Sequence, residues 1–241
     1  QPKYANTTSY SSRVSRLNPE WNEPNSDQSS RFKLAQDVAE DESHDEDAQH
    51  VRHEEDTAQQ VPEASAFLNR LVEETLRQKL CLVHGDFSPK NILIYREKLI
   101  LLDHEVVHFG EPAFDLGFVL THFLSKAHHL PAHREALVRA AGRFWAVYHQ
   151  EISSTSPSRV LEPRALEPRA LEPRVVRHTL ACLLARVAGK SPLEYLSGDE
   201  RARQRAAVVR IMTNLPAGVG ELFPEFIAQI ETDATNRKAL G

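Results

Sequence analysis

The stretch that decides how this chain is read is His84-Gly85-Asp86-Phe87-Ser88-Pro89-Lys90-Asn91, followed by Ile92-Leu93-Ile94-Tyr95 and by Leu99-Ile100-Leu101-Leu102-Asp103. The apolar run Cys81-Leu82-Val83 leads into it and predicts a short strand. The polar residues after it predict a loop. Ile92 to Tyr95 and Leu99 to Leu102 are β-favouring runs separated by Arg96, Glu97 and Lys98, which predicts a small hairpin. Asp86 and Asn91 thus share one loop, five positions apart, and Asp103 closes the hairpin that follows.

Working outward towards the N-terminus, Phe67, Leu68, Leu71, Val72, Leu76 and Leu80 recur at helical spacing, so a helix is expected from Pro62, a residue acceptable in a first turn. Upstream of Pro62 there is almost no apolar periodicity. Between Asp37 and Asp56, ten residues are acidic and Arg52 is the only Lys or Arg. Such a segment cannot bury enough surface to offset its ordering entropy, so residues 1–61 are expected to be a disordered acidic segment.

In the other direction, helices are expected from Pro112 to about Ala127 and from about Ala132 to Ile152, divided by Pro131. A repeat, Leu-Glu-Pro-Arg-Ala, then begins at Leu161 and Leu166, with a third copy from Leu171 that ends in Val175. Pro163, Pro168 and Pro173 remove helix donors at regular intervals, so an extended spacer is expected over 153–174. Helices follow over Val176 to Val187, from an N-cap at Ser191, from Asp199 to about Leu215, and from about Val219 to Ile230. Residues 62–241 should therefore form one mostly helical α+β unit. Gly189-Lys190-Ser191 is not a phosphate-binding loop, because Leu184 stands where that motif needs glycine.

Composition narrows the partners. A formal net charge of -5 gives no basic face for nucleic acid or an anionic membrane surface. No run of about 18 apolar residues occurs, and Gln1 to Tyr10 show no basic patch followed by an apolar run, so no membrane partner is expected. Cys81 and Cys182 form neither a disulfide framework nor a paired-thiol motif, and a reducing, cytoplasmic setting is the expectation. His128, His129 and His133 suggest metal binding at first sight, but Pro131 interrupts any helix that would align His129 with His133, so no structural zinc is expected.

Phosphoryl transfer from ATP needs a carboxylate beside the acceptor hydroxyl and oxygen ligands that hold Mg²⁺ against the phosphates. Asp86, Asn91 and Asp103 have the order and spacing for these tasks. The stretch resembles the aminoglycoside phosphotransferase and choline kinase family, whose members share a protein-kinase-like fold. The loop opens His-Gly-Asp where protein kinases have His-Arg-Asp, and Gly110-Glu111-Pro112-Ala113-Phe114-Asp115-Leu116 resembles the family's segment after its metal-binding Asp.

The resemblance implies an ATP-dependent kinase acting on a hydroxyl of a small molecule. Asp86 would be the catalytic base, Asn91 and Asp103 the Mg²⁺ ligands, and His84 a support for the loop. Asp115 would steady the catalytic loop from behind. Lys90 is either a phosphate contact or a solvated loop lysine; Glu105 is either a further ligand or a hydrogen-bonding residue. His104 stands where many relatives carry an aromatic residue. The fold implied is the larger, C-terminal lobe with its small β-hairpin. No glycine precedes Gly85, so a glycine-bearing phosphate loop is missing upstream and the nucleotide-binding N-lobe is expected to be absent. The alternative is a kinase-like binding module that keeps the loop without turnover.

Overall fold

A computed structural model describes residues 54–154 and 167–240. The labelled elements are α1 (Ser65–Arg77), β1 (Cys81–Val83), β2 (Ile92–Tyr95), β3 (Lys98–Leu101), β4 (His108–Gly110), α2 (Pro112–His129), α3 (Arg134–Ser154), α4 (Pro168–Ala188), α5 (Gly198–Thr213) and α6 (Val219–Leu240). Short 3-10 turns at Pro62–Ala64 and Pro131–His133 lead into α1 and α3. The architecture is mostly helical, with two separate two-stranded sheets.

The core lies around α2 and α4, which pack most extensively on one another. From α2 come Leu116, Leu120 and Leu124, and from α4 come Leu171, Val175, Leu180, Leu183 and Leu184, all buried. Each such side chain contributes about 1.5–3 kcal/mol on leaving water. The axes approach closely at Gly117, where an added Cβ would lie 2.7 Å from the Thr179 backbone nitrogen. Thr121 Oγ1 reaches the Thr179 carbonyl at 3.2 Å across the same contact. On its other sides, α2 packs against α3, and α4 against α5.

The structure departs from the sequence expectations in several places. Residues 54–60 are helical, and Glu54, Thr57, Ala58 and Val61 are buried, so order begins before Pro62. The acidic composition hides this, because only one face of that turn is apolar. Residues 1–53, which make up most of the expected acidic segment, lie outside the described residues.

The spacer is also shorter than expected at its C-terminal end, because α4 begins at Pro168 and runs through Pro173. Proline is compatible with a first helical turn, and burial of Leu171 and Val175 on the same face outweighs the donor that Pro173 lacks. The first copy of the repeat lies outside the described residues. No helix starts at Ser191. The capping box instead joins Ser197 to Glu200 at the start of α5, leaving Asp199 within the first turn. The turn between β2 and β3 is two residues long, with Lys98 in the strand. β4 is only three residues long, follows Val106-Val107, and is defined by its pairing with β1.

Candidate phosphotransfer site

The site is built where β1 ends. β1 pairs antiparallel with β4, setting Cys81 opposite Gly110 and Val83 opposite His108. This pairing brings the start of α2 up behind the loop that leaves β1. Glu111 caps α2 by accepting from the Ala113 N–H at 3.0 Å, and Pro112 takes the first helical position. Asp115 then lies in the first turn of α2, where the helix dipole favours a negative charge. Its carboxylate accepts from the His84 N–H at 2.6 Å and from the Gly85 N–H at 2.9 Å. Two backbone donors of the loop are thereby fixed to one helix terminus.

Gly85 adopts φ 79°, a left-handed conformation that glycine enters without strain, and this turns the chain sharply before Asp86. His84 is buried and bridges two segments. Its Nε2 donates to the Leu102 carbonyl at 2.9 Å, while its Nδ1 accepts from the Asp86 N–H at 3.3 Å. One neutral tautomer satisfies both contacts. The imidazole therefore ties this loop to the end of the hairpin.

Asn91 is buried and closes the loop on itself: its Nδ2 donates to the Asp86 carbonyl at 2.9 Å and to Asp86 Oδ2 at 3.0 Å. That commitment makes Oδ1 the atom a metal ion would take. Lys90 Nζ also meets Asp86 Oδ2, at 2.8 Å. Asp86 is thus held from two sides, by an amide and by an ammonium group.

The hairpin register aligns Ile92 with Leu101, and Leu102 N–H donates to the Asn91 carbonyl at 2.8 Å. Asp103 consequently follows directly on the residue facing Asn91. It is exposed and has φ 64°, a left-handed conformation that Asp tolerates better than most residues. Glu105 is exposed two residues further on. His104 is exposed and contacts the Leu101 carbonyl through Nε2 at 2.9 Å, its ring 5.5 Å from that of His84.

The sequence offers seven candidate residues: His84, Asp86, Lys90, Asn91, Asp103, Glu105 and Asp115. The hydrogen bonds above join His84, Asp86, Lys90, Asn91 and Asp115, and the hairpin register places Asp103 beside them. Glu105 is not joined to them by any contact described above. Sequence reasoning missed Arg174, whose Nε lies 3.0 Å from Glu111 Oε2 in a nearly buried pair. The Glu-Pro start of α2 signals the cap, but nothing local points to an arginine 63 positions away. Burial pushes the Cys81 thiol up to about 12, with the charges of Asp115 and Glu111 adding to it, so the sulfur behind the loop stays protonated.

Among the described residues no group of three or more His, Cys, Asp and Glu side chains is gathered for a metal ion. An amide oxygen from Asn91 and a carboxylate from Asp103 suit Mg²⁺, which is bound by few protein oxygens and completes its shell with water and phosphate.

Two comparisons show what the chain is similar to. Over 42 residues the chain is 50% identical to the MYG1 exonuclease of Mus musculus, and it is equally similar to those of Rattus norvegicus and Homo sapiens. Each match covers 17% of this chain and 11% of the relative, so the chain spans about a tenth of the length of these curated proteins. The second comparison covers the site itself. The model of the phosphotransferase enzyme family, which lies within the protein-kinase-like superfamily, matches residues 12–129, just under half of the chain, and the match takes in the loop, the hairpin and the whole of α2.

Proposed function

We propose that this chain transfers the γ-phosphoryl group of ATP to a hydroxyl of a small molecule such as an aminoglycoside, choline or a sugar-like alcohol. The observation that carries this reading is the placement of Asp86. Its carboxylate is held by Asn91 at 3.0 Å and Lys90 at 2.8 Å on a loop whose backbone is clamped by Asp115. A carboxylate so oriented accepts the proton of the acceptor hydroxyl as its oxygen bonds to the γ-phosphorus and the bond to ADP breaks. Asn91 Oδ1 and Asp103 would hold Mg²⁺, which, when bound, neutralises charge on the phosphate oxygens. Lys90 would approach the same phosphates once it leaves Asp86.

The test is an Mg-ATP phosphotransfer assay over a panel of aminoglycosides, choline, ethanolamine and sugar-like alcohols. Asp86→Asn should lower kcat about 10²–10⁴-fold while the far-UV spectrum is unchanged, as expected for loss of a general base. Wild-type protein that phosphorylates nothing in the panel and binds no Mg-ATP would overturn the reading.

A second reading is a kinase-like binding module without turnover, which keeps the loop and has no glycine-bearing phosphate loop within residues 1–84. Nucleotide binding separates the two. A kinase binds Mg-ATP and loses affinity in Asp103→Ala, whereas the module binds the small molecule with the same affinity in both proteins.

A further inference from the structure

A cavity of about 200 Å³ opens between the C-terminal end of α1 and the first turns of α4, lined among others by Thr75, Arg77, Gln78, Arg174, Arg177 and His178. It lies at the start of β1, whereas the catalytic loop leaves the strand's other end. Three strand residues separate them, roughly 10 Å. None of the seven candidate site residues lines it.

The polar groups around this cavity are unevenly used. Both oxygens of Glu74 are taken, one by Arg70 Nε at 3.1 Å and one by Arg177 Nη1 at 2.6 Å. Both oxygens of Glu111 are taken as well, by the Ala113 N–H at 3.0 Å and Arg174 at 3.0 Å. The carboxylate oxygens that line the cavity are therefore engaged. Donors remain in excess, because each guanidinium carries five N–H groups. Arg177 Nε is buried and makes no hydrogen bond among the described residues. The ion pairs around the cavity join four arginines (Arg70, Arg77, Arg174, Arg177) to three glutamates (Glu73, Glu74, Glu111). Glu54 is a further carboxylate, but it stands behind the His178 ring, 3.8 Å from Nδ1, and does not line the cavity.

A ligand that satisfies such a wall must supply acceptor atoms and negative charge in a compact shape. We propose that the cavity is a second, oxyanion-binding site that takes a phosphate group, with Arg177 as its principal donor and Thr75, Arg77 and Gln78 around the mouth. Arg174 connects it to the rest of the molecule. Through Glu111 it reaches the cap of α2, and one turn later Asp115 holds the catalytic loop. The proposal stands on the cavity and does not depend on the phosphotransfer reading.

Inorganic phosphate is the probe, titrated calorimetrically into the full chain without Mg²⁺ or nucleotide, at ionic strength held constant with chloride. Saturable binding to one site is expected, unchanged in Asp103→Ala and weakened about tenfold or more in Arg177→Gln, the cost of losing a charge-assisted donor. Methyl phosphate run alongside names the source, the tighter of the two marking an ester or the free ion. Absence of saturable binding overturns the proposal, as does equal affinity in a folded Arg177→Gln variant. Loss of binding in Asp103→Ala would move the phosphate to the catalytic loop and overturn it too. Should Arg177→Gln not fold, the wild-type His178 ring resonances decide: phosphate must shift them, and unmoved signals reject the site.

Discussion

Asp115 shows how much one carboxylate can organise. Its oxygens receive the backbone N–H groups of His84 and Gly85 at 2.6 and 2.9 Å, so the turn into Asp86 is set by a residue 29 positions further along the chain. Removing the carboxylate strands two donors where the loop is buried. Asp115→Ala should lower unfolding stability by about 3 kcal/mol, the order expected for lost hydrogen bonds to a charged group. Urea denaturation checks it, through a lower midpoint at unchanged slope. His84 and Asn91 also hold Asp86 through side-chain nitrogens, His84 linking it to the end of the hairpin and Asn91 closing the loop on itself.

The seam between α2 and α4 and the proline inside α4 each make a prediction about elements. At Gly117 a methyl group would meet the Thr179 nitrogen at 2.7 Å and the His178 carbonyl carbon at 2.8 Å, and backbone cannot move aside as a flexible side chain can. Gly117→Ala should therefore destabilise by about 1–3 kcal/mol, outweighing the gain of about 1 kcal/mol in helix propensity. A lower Tm for this usually stabilising exchange is the check. Pro173 has the opposite sign. It lies inside α4 without a donor for the carbonyl four residues earlier, a defect of about 3 kcal/mol in a helix interior. Pro173→Ala should raise stability by about 2 kcal/mol once the greater freedom of the unfolded chain is counted. Thermal unfolding measures it directly.

Protonation acts on the molecule as a whole, because it weighs the folded against the unfolded chain. Burial, with Arg186 adding to it, pushes the His122 imidazole down to about 4 from its ordinary 6.5. Burial lowers His128 as well. A histidine depressed in the folded state binds its proton preferentially when unfolded, so stability is full above about 6.5 and falls as the pH drops towards 4. His122 alone would account for up to about 3 kcal/mol of that loss. Denaturation at pH 7.5 and pH 5 should show the decline, and His122→Phe should flatten it; equal slopes in both proteins would reject His122 as the source.

The loop from His84 to Asn91, the hairpin after it and most helices are legible in the sequence, because each is local. Asp86, Asn91 and Asp103 are separated by a short loop and a hairpin whose residues also set their geometry, and the α1 and α2 patterns follow from apolar periodicity. Tertiary structure decided what depends on distant partners. The acidic turn at residues 54–60 is ordered because Glu54, Thr57 and Ala58 are buried against the helical body. β4 exists only as the partner of β1. The third copy of the proline repeat is helical because Leu171 and Val175 enter the core and Glu172 accepts from the Val219 N–H at 2.9 Å. Propensity counts only what neighbours in sequence contribute, and in these segments burial contributed more.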